Sequence, residues 1–182
     1  MPNDGLKIIA LNFTQLLTKL KFVIQSSLTN QLMEFNMQKI QSVTRGATST
    51  GETRDCTVRA LSNAGNIPYE EAHALLKKHG RKDRKGAFFS TMLVAYNEAD
   101  FVLDSVHGTT GSARAAARIA KREAQEGISL AKLLPKLAFG EYIVNTTGHA
   151  VAVVNGRIID TFDNPAGKRV VAVFKKIEKF SQ

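Results

Sequence analysis

Three residues of the types that support acyl-transfer chemistry occur far apart in the chain: Cys56, His149 and Asp160. Cys56 is the only cysteine, and the residues after it predict a helix that begins at or near it. His149 begins an apolar run typical of a strand, and Asp160 ends the next such run. A thiol, an imidazole base and a carboxylate that orients the base are what covalent acyl transfer needs. The sequence therefore predicts a catalytic triad of Cys56, His149 and Asp160.

The turn between the two strands determines where His149 and Asp160 lie relative to each other in the sheet. Asn155-Gly156 lies between two apolar runs and is the strongest short-range signal for a two-residue hairpin. Such a turn pairs Val154 with Arg157 and makes Asp160 the diagonal neighbour of His149 on the same face of the sheet. Diagonal neighbours are within side-chain reach, so we expect the carboxylate to contact the imidazole.

Asp163 and Asn164 follow the same strand and are alternatives for the third member of the triad. Each candidate taken alone also has a structural interpretation. A lone cysteine is more often a small buried hydrophobic residue than a nucleophile. The order of the three residues, on these predicted elements, favours the catalytic interpretation.

The predicted position of Cys56 at a helix start also bears on its chemistry. The positive end of the helix dipole favours the thiolate form of a cysteine. Arg54 and Arg59 would add to this effect if they approach the sulfur. The charge of Asp55 would oppose it, unless its carboxylate turns away and caps the helix.

The order of the predicted elements indicates an α+β fold, with N-terminal helices packed on a C-terminal antiparallel sheet. From Gly140 onward the apolar residues change to a period of two. The segment 88–96 fits either a helix or a strand, and 107–111 is predicted as a turn. Helices are predicted over 56–64, 69–79, 112–125 and 129–134, and strands over 141–145, 149–154, 157–161 and 169–174.

The N-terminal part of the chain differs from the rest, and we expect residues 1–50 to be an extension of a domain formed by 51–182. Apolar residues from Leu6 to Ile24 fall near helical spacing and predict an amphipathic helix. The lysines and polar residues among them make this stretch too polar for a membrane span. Residues 44–52 are rich in Thr, Ser and Gly and predict a loop.

Composition narrows the classes of partner and compartment. A single cysteine excludes an internal disulfide and a zinc site made of several thiolates, so we expect no metal site of that kind and a cytoplasmic location. The net charge of +9 favours an anionic partner, although a basic stretch is most often a solvated surface. His73, His79 and His107 are predicted to be surface or helix-end residues without a catalytic role. The basic stretch consists of Lys77, Lys78, Arg81, Lys82, Arg84 and Lys85.

Two pairs of short motifs resemble those of small phage and bacterial proteins of papain-like type. Residues 55–61 and 68–72 resemble their cysteine stretch, and 148–153 and 160–163 resemble their histidine and acid stretches. The chain is also similar, more distantly, to bacteriocin-leader peptidases and ovarian-tumour-type deubiquitinases. The resemblance covers about 51–174. It implies a papain-like fold and a Cys-His-Asp peptidase without a cofactor, acting in a host cytoplasm or a virion.

One position departs from the papain pattern. Where papain-type enzymes carry a glutamine upstream of the cysteine, this chain has Thr50. We therefore expect the oxyanion to be bound by the backbone amide of Cys56, with help from the hydroxyl of Thr53 or Thr50. The predicted function is a cysteine peptidase or isopeptidase that forms a thioester acyl-enzyme. The alternatives are a non-catalytic papain-like protein that binds a host protein or nucleic acid, and a cell-wall amidase.

Overall fold

The computed structural model of the protein describes residues 52–160 and 165–177, together with Lys21, which is helical and exposed. The chain divides into two units, Met1–Asn36 and Met37–Gln182, and everything below concerns the second. Apart from Lys21, the predicted N-terminal helix lies outside the described residues, as does the predicted domain boundary. Thr50, Asp163 and Asn164 lie outside them as well.

The described residues form an α+β structure, as the sequence predicts, with five α-helices and a five-stranded antiparallel sheet. Two short 3-10 helices, Leu134–Lys136 and Pro165–Gly167, connect these elements. No helix among the described residues has the length and hydropathy of a membrane-spanning segment. The α-helices are α1 Cys56–Gly65, α2 Tyr69–Lys78, α3 Phe89–Glu98, α4 Gly111–Ala120 and α5 Leu130–Leu133.

The sheet has the strand order β1-β5-β2-β3-β4. Its last three members in this order, β2, β3 and β4, are joined by tight turns. At the second turn Asn155 and Gly156 have φ of 50° and 77°, the positive values that a type I′ hairpin requires. The strands are β1 Phe101–Val106, β2 Glu141–Thr146, β3 His149–Val154, β4 Arg157–Ile159 and β5 Val170–Lys176.

Each face of the sheet is covered by its own buried cluster, because successive side chains along a strand point to opposite faces. On one face, Val58, Leu61 and Tyr96 of the helices pack with strand residues such as Phe174, whose ring meets that of Tyr96 edge-on at 5.0 Å. On the other face, α5 packs on Val144, Val151 and Val153, among other strand residues. The sheet is therefore the middle layer of the described structure.

Helix α1 packs directly on strand β3. The side chains of β3 in the α1 cluster are alanines, Ala150 and Ala152, which are 3% and 0% exposed. Small side chains let a helix approach a sheet closely, and Val58 and Leu61 fill the space around them. The first residues of α1 and β3 are Cys56 and His149, so this packing determines whether they meet.

Three predictions of local structure need correction. The segment left open between helix and strand is helix α3, which continues to Glu98. Strand β1 was missed, and it precedes α4, so the helices do not all come before the sheet. Helix α4 ends at Ala120 rather than at Gln125, because Lys121 adopts a left-handed conformation with φ of 52°.

We expect an enlarged side chain at Ala152 to separate α1 from β3. Ala152→Leu would destabilise the fold by about 1–3 kcal/mol, since the added atoms have no space in a filled core. It would also slow alkylation of Cys56 by a small reagent. Urea unfolding and the alkylation rate measure the two effects, with Ala74→Leu on the exposed face of α2 as the control. Equal stability of the two variants would contradict this account of the packing.

Candidate active site

Cys56 is the first residue of α1 and is partly buried. Backbone N–H groups in the first turn of a helix have no intrahelical acceptor, and the helix dipole places positive potential there. Asp55 occupies the N-cap position, but among the described residues its side chain does not cap α1. The hydroxyl of Tyr69 instead donates to Asp55 Oδ2 at 3.0 Å. The carboxylate is thus bound by Tyr69 and does not cap the helix, which was one of the two alternatives that the sequence left open.

The segment that leads into α1 is anchored by Glu52, which is 3% exposed. Arg81 Nη2 donates to Glu52 Oε2 at 2.8 Å, and the backbone N–H of Arg84 donates to both carboxylate oxygens at 3.1 Å. His73 Nε2 lies 3.2 Å from Glu52 Oε1. Burial acts to raise the pKa of Glu52, but the bonds from Arg81, Arg84 and His73 outweigh it and lower the pKa from 4.5 to about 2.

This network corrects the prediction of a basic surface that includes Arg81. The Arg81 side chain is fully buried because its guanidinium is paired with Glu52. Lys77 and Lys78 are exposed but pair with Asp83 and Glu98. Lys82, Arg84 and Lys85 are also exposed, and they form no ion pair with the residues that the structure describes.

Two of the histidines predicted to be surface or helix-end residues are buried. His73 is 9% exposed and joins the Glu52 network. His107 is 6% exposed, and it accepts from the Ser105 hydroxyl at 3.0 Å while its Nδ1 faces the Glu126 carbonyl at 3.3 Å. Both rings are therefore held by structural hydrogen bonds.

Glu52, His73 and Asp83 place potential metal-binding atoms within 4.8 Å of one another. The Glu52 carboxylate is already bound by the Arg81 guanidinium, which would repel a cation. We therefore assign this cluster a structural role.

Asp160 contacts His149 as the hairpin register predicts. Val154 pairs with Arg157 and Ala152 pairs with Ile159. His149 Nε2 donates to Asp160 Oδ2 at 2.6 Å, and the two side chains are 12% and 8% exposed. This bond leaves Nδ1 as the ring nitrogen available to a nucleophile.

The Cys56 side chain lies beside the His149 ring and interacts with it, and both residues line one cavity, although 93 positions separate them in the chain. Burial acts to lower the pKa of His149. The hydrogen bonds to Asp160 and Cys56 and the charges of those two groups outweigh burial and raise the pKa from 6.5 to about 9. The imidazolium form of His149 is thus favoured near neutral pH.

A cavity of about 390 Å³ opens beside Cys56 and His149. Its described lining comes from α1, α3, α4, the segment before α3, the β2–β3 turn and strands β2, β3 and β5. Gly148 in that turn has φ of 74°, and a Cβ added there would meet no atom within 4 Å. Phe88 at the cavity is 79% exposed. A substrate bound here would lie against the thiol and the imidazole.

The sequence analysis missed Thr57 and Asn145, which both line this cavity. They are 5% and 4% exposed, and Thr57 Oγ1 and Asn145 Oδ1 have no hydrogen-bond partner among the described residues. Asn145 interrupts the apolar run of β2, and that was the one signal in the sequence that pointed to it. Thr57 gave no comparable signal.

The predicted oxyanion hole is represented here by two of its three residues. The backbone N–H of Cys56 lies at the positive end of α1. Thr53 is exposed on the segment before α1, and Thr50 lies outside the described residues. The backbone amide is therefore the donor that the helix geometry supports.

Comparisons with protein-family models, curated proteins and solved structures find no match for this chain. The functional argument consequently rests on the residues and distances of the site itself.

We expect Glu52→Gln to destabilise the protein by about 3 kcal/mol at pH 7, because it leaves the Arg81 guanidinium buried without its counterion. Since the pKa of Glu52 is lower in the folded protein, its contribution is present above about pH 4.5 and is lost as the pH falls towards 2. Urea unfolding should show the difference from wild type shrinking by about 2 kcal/mol between pH 5 and pH 3. Glu98→Gln, in an exposed pair, is the control and should change stability much less. A difference that does not vary with pH would contradict the charge assignment.

The raised pKa of His149 predicts the opposite dependence on pH. Its stabilising contribution is complete below about pH 6.5 and is lost as the pH rises through about 9. A pKa of 9 against 6.5 corresponds to about 3 kcal/mol. Urea unfolding of wild type and His149→Gln at pH 6 and pH 9 measures this contribution, and NMR titration of the ring gives the pKa directly. A ring that titrates near 6.5 would overturn the assignment.

Proposed function

We propose that this chain is a cysteine-type hydrolase of papain-like kind, a peptidase or isopeptidase with Cys56 as nucleophile, His149 as acid and base, and Asp160 as the orienting group. The observation that carries the proposal is that Cys56 and His149 meet on one cavity wall, while His149 Nε2 donates to Asp160 Oδ2 at 2.6 Å. The three residues sit at a helix start and on a strand hairpin, and they open onto a cavity large enough for part of a substrate.

In this mechanism the reaction starts once the Cys56 proton has passed to His149, which gives a thiolate beside an imidazolium. The thiolate attacks a substrate carbonyl carbon, and the developing oxyanion is bound by the Cys56 N–H at the start of α1. His149 Nδ1–H then protonates the leaving amine as the carbon–nitrogen bond breaks, which gives a thioester and neutral histidine.

The second half of the reaction returns the enzyme to its starting state. Neutral His149 takes a proton from water, and the resulting hydroxide adds to the thioester carbonyl. Collapse of this intermediate breaks the carbon–sulfur bond, releases the carboxylic acid and restores the thiolate and imidazolium. Asp160 keeps Nε2 protonated throughout, so that Nδ1 remains the nitrogen that exchanges protons.

A non-catalytic protein that binds a host protein or nucleic acid through the basic stretch has less support, because Lys77 and Lys78 are in ion pairs and Arg81 is buried. A cell-wall amidase would use the same triad, and only the amide substrate would differ.

A peptidyl acyloxymethyl ketone should alkylate Cys56 in the folded wild-type protein, as detected by intact mass and peptide mapping. Cys56→Ala should not react. His149→Ala and Asp160→Asn should react about 10²-fold more slowly or worse, because the thiolate and its proton donor are no longer held together. His79→Gln, a histidine outside the site, is the matched control and should react like wild type.

Circular dichroism establishes that each variant is folded. Wild-type protein that is folded yet unreactive, or His149→Ala that reacts at the wild-type rate, would refute the triad. A labelled enzyme that cleaves no member of a mixed-peptide library would refute the peptidase assignment and retain the thiol hydrolase.

A further inference from the structure

Most buried polar side chains near the site have partners. Glu52 binds Arg81 and Arg84, Asp55 accepts from Tyr69, and His73 is bound to Glu52. Arg81 Nε also lacks a partner among the described residues, but Arg81 does not line the cavity. Thr57 Oγ1 and Asn145 Oδ1 lack a partner among the described residues and belong to residues that do line it. An unpaired buried polar group costs about 1–3 kcal/mol, so two of them on one cavity need an explanation.

The other atom of the Asn145 amide does not remove the problem. Asn145 Nδ2 lies 3.4 Å from Met92 Sδ, and a thioether sulfur is a weak acceptor. Rotating the amide by 180° would exchange the unpaired acceptor for an unpaired donor at little loss. Asn145 can therefore offer either a donor or an acceptor, and the Thr57 hydroxyl can do the same.

The rest of the described cavity wall is mainly apolar. No Lys, Arg, Asp or Glu is among the described residues that line it, and Cys56 and His149 are the titratable ones. An ionised side chain bound there would lose water without gaining a counterion. The apolar part of the wall consists of Ala87, Phe88, Phe89, Met92, Ala115 and Val171.

From these features we infer that Asn145 and Thr57 determine specificity. They select a substrate side chain with an apolar stem and an uncharged end that forms hydrogen bonds, such as an amide or a hydroxyl. The stem lies along the apolar wall. Because Thr57 Oγ1 and Asn145 Oδ1 are enclosed in the free protein, these two side chains rotate towards the cavity when they pair with the polar end. This inference rests on the proposed function, since it assigns the substrate class of the same site.

A test uses dipeptidyl acyloxymethyl ketones that carry glutamine, methionine or glutamate, three side chains of nearly equal length, at either position next to the reacting carbonyl. At one of these positions wild type should be labelled fastest by glutamine, about tenfold slower by methionine and slowest by glutamate. Cys56 alkylation by iodoacetamide, which carries no peptide side chain, is measured in parallel as the reference rate.

Asn145→Leu and Thr57→Val should each reduce the glutamine-to-methionine ratio by about three- to tenfold while iodoacetamide labelling is kept. Asn97→Leu and Thr109→Val, which change exposed residues of the same types, are the matched controls. If either cavity variant fails to fold, Asn145→Ala and Thr57→Ala replace it, and the wild-type ratios stand as a test of their own.

The outcomes separate the two proposals. Equal labelling by all three probes, or variants that slow every probe by one common factor, would overturn the inference, because a role limited to binding ordered water or stabilising the fold changes all rates together. Failure of every reagent at Cys56 in folded wild-type protein would instead overturn the proposed function.

Discussion

The site depends on the packing of helix α1 against strand β3. Cys56 and His149 are the first residues of these two elements, so the contact between sulfur and imidazole is fixed by how closely a helix and a strand approach. Ala150 and Ala152 permit this approach because each presents one methyl group to the helix. A close-packed core does not deform continuously, so a thiol held in this way keeps its position without a covalent constraint.

A second layer of interactions holds the chain that enters α1, and it is electrostatic rather than apolar. Removing Glu52 and Arg81 from water is expensive, and a buried pair is weak evidence for net stability. What the pair does provide is a fixed position: it ties the segment before Cys56 to the segment between α2 and α3, which also forms part of the cavity. Tyr69 holds Asp55 in a similar way and draws its carboxylate towards α2. The segment that precedes the nucleophile is thus anchored at two points, on α2 and on the segment that follows it.

The sequence predicted those parts of the site that local rules govern. The Asn155-Gly156 turn fixes the register of β3 and β4, and the register brings Asp160 to His149, so this contact follows from short-range stereochemistry. The predictions for the end of α4 and for the exposure of Arg81 were wrong, and in both a distant partner determines the local structure. Residues 121–125 have helical character, but Gln125 N–H donates to the Val106 carbonyl at the end of β1, and this tertiary contact draws the chain out of α4. Arg81 looked like a surface residue because Glu52, its partner, lies 29 positions away.

The cavity explains why the remaining polar atoms of the site could not be interpreted from sequence. Asn145 and Thr57 lie on different elements, and only the packing of α1 on the sheet brings them to one wall. Other buried polar side chains of this protein, those of Glu52, Asp55, His73 and His107, each have a hydrogen-bond partner. We therefore interpret the unpaired atoms of Asn145 and Thr57, which lie beside a thiol and an imidazole, as groups that bind substrate and not as a defect of folding. A polar group of the substrate would form the hydrogen bonds that the free protein lacks. The same hydrogen bonds would hold the substrate carbonyl in position for attack by Cys56.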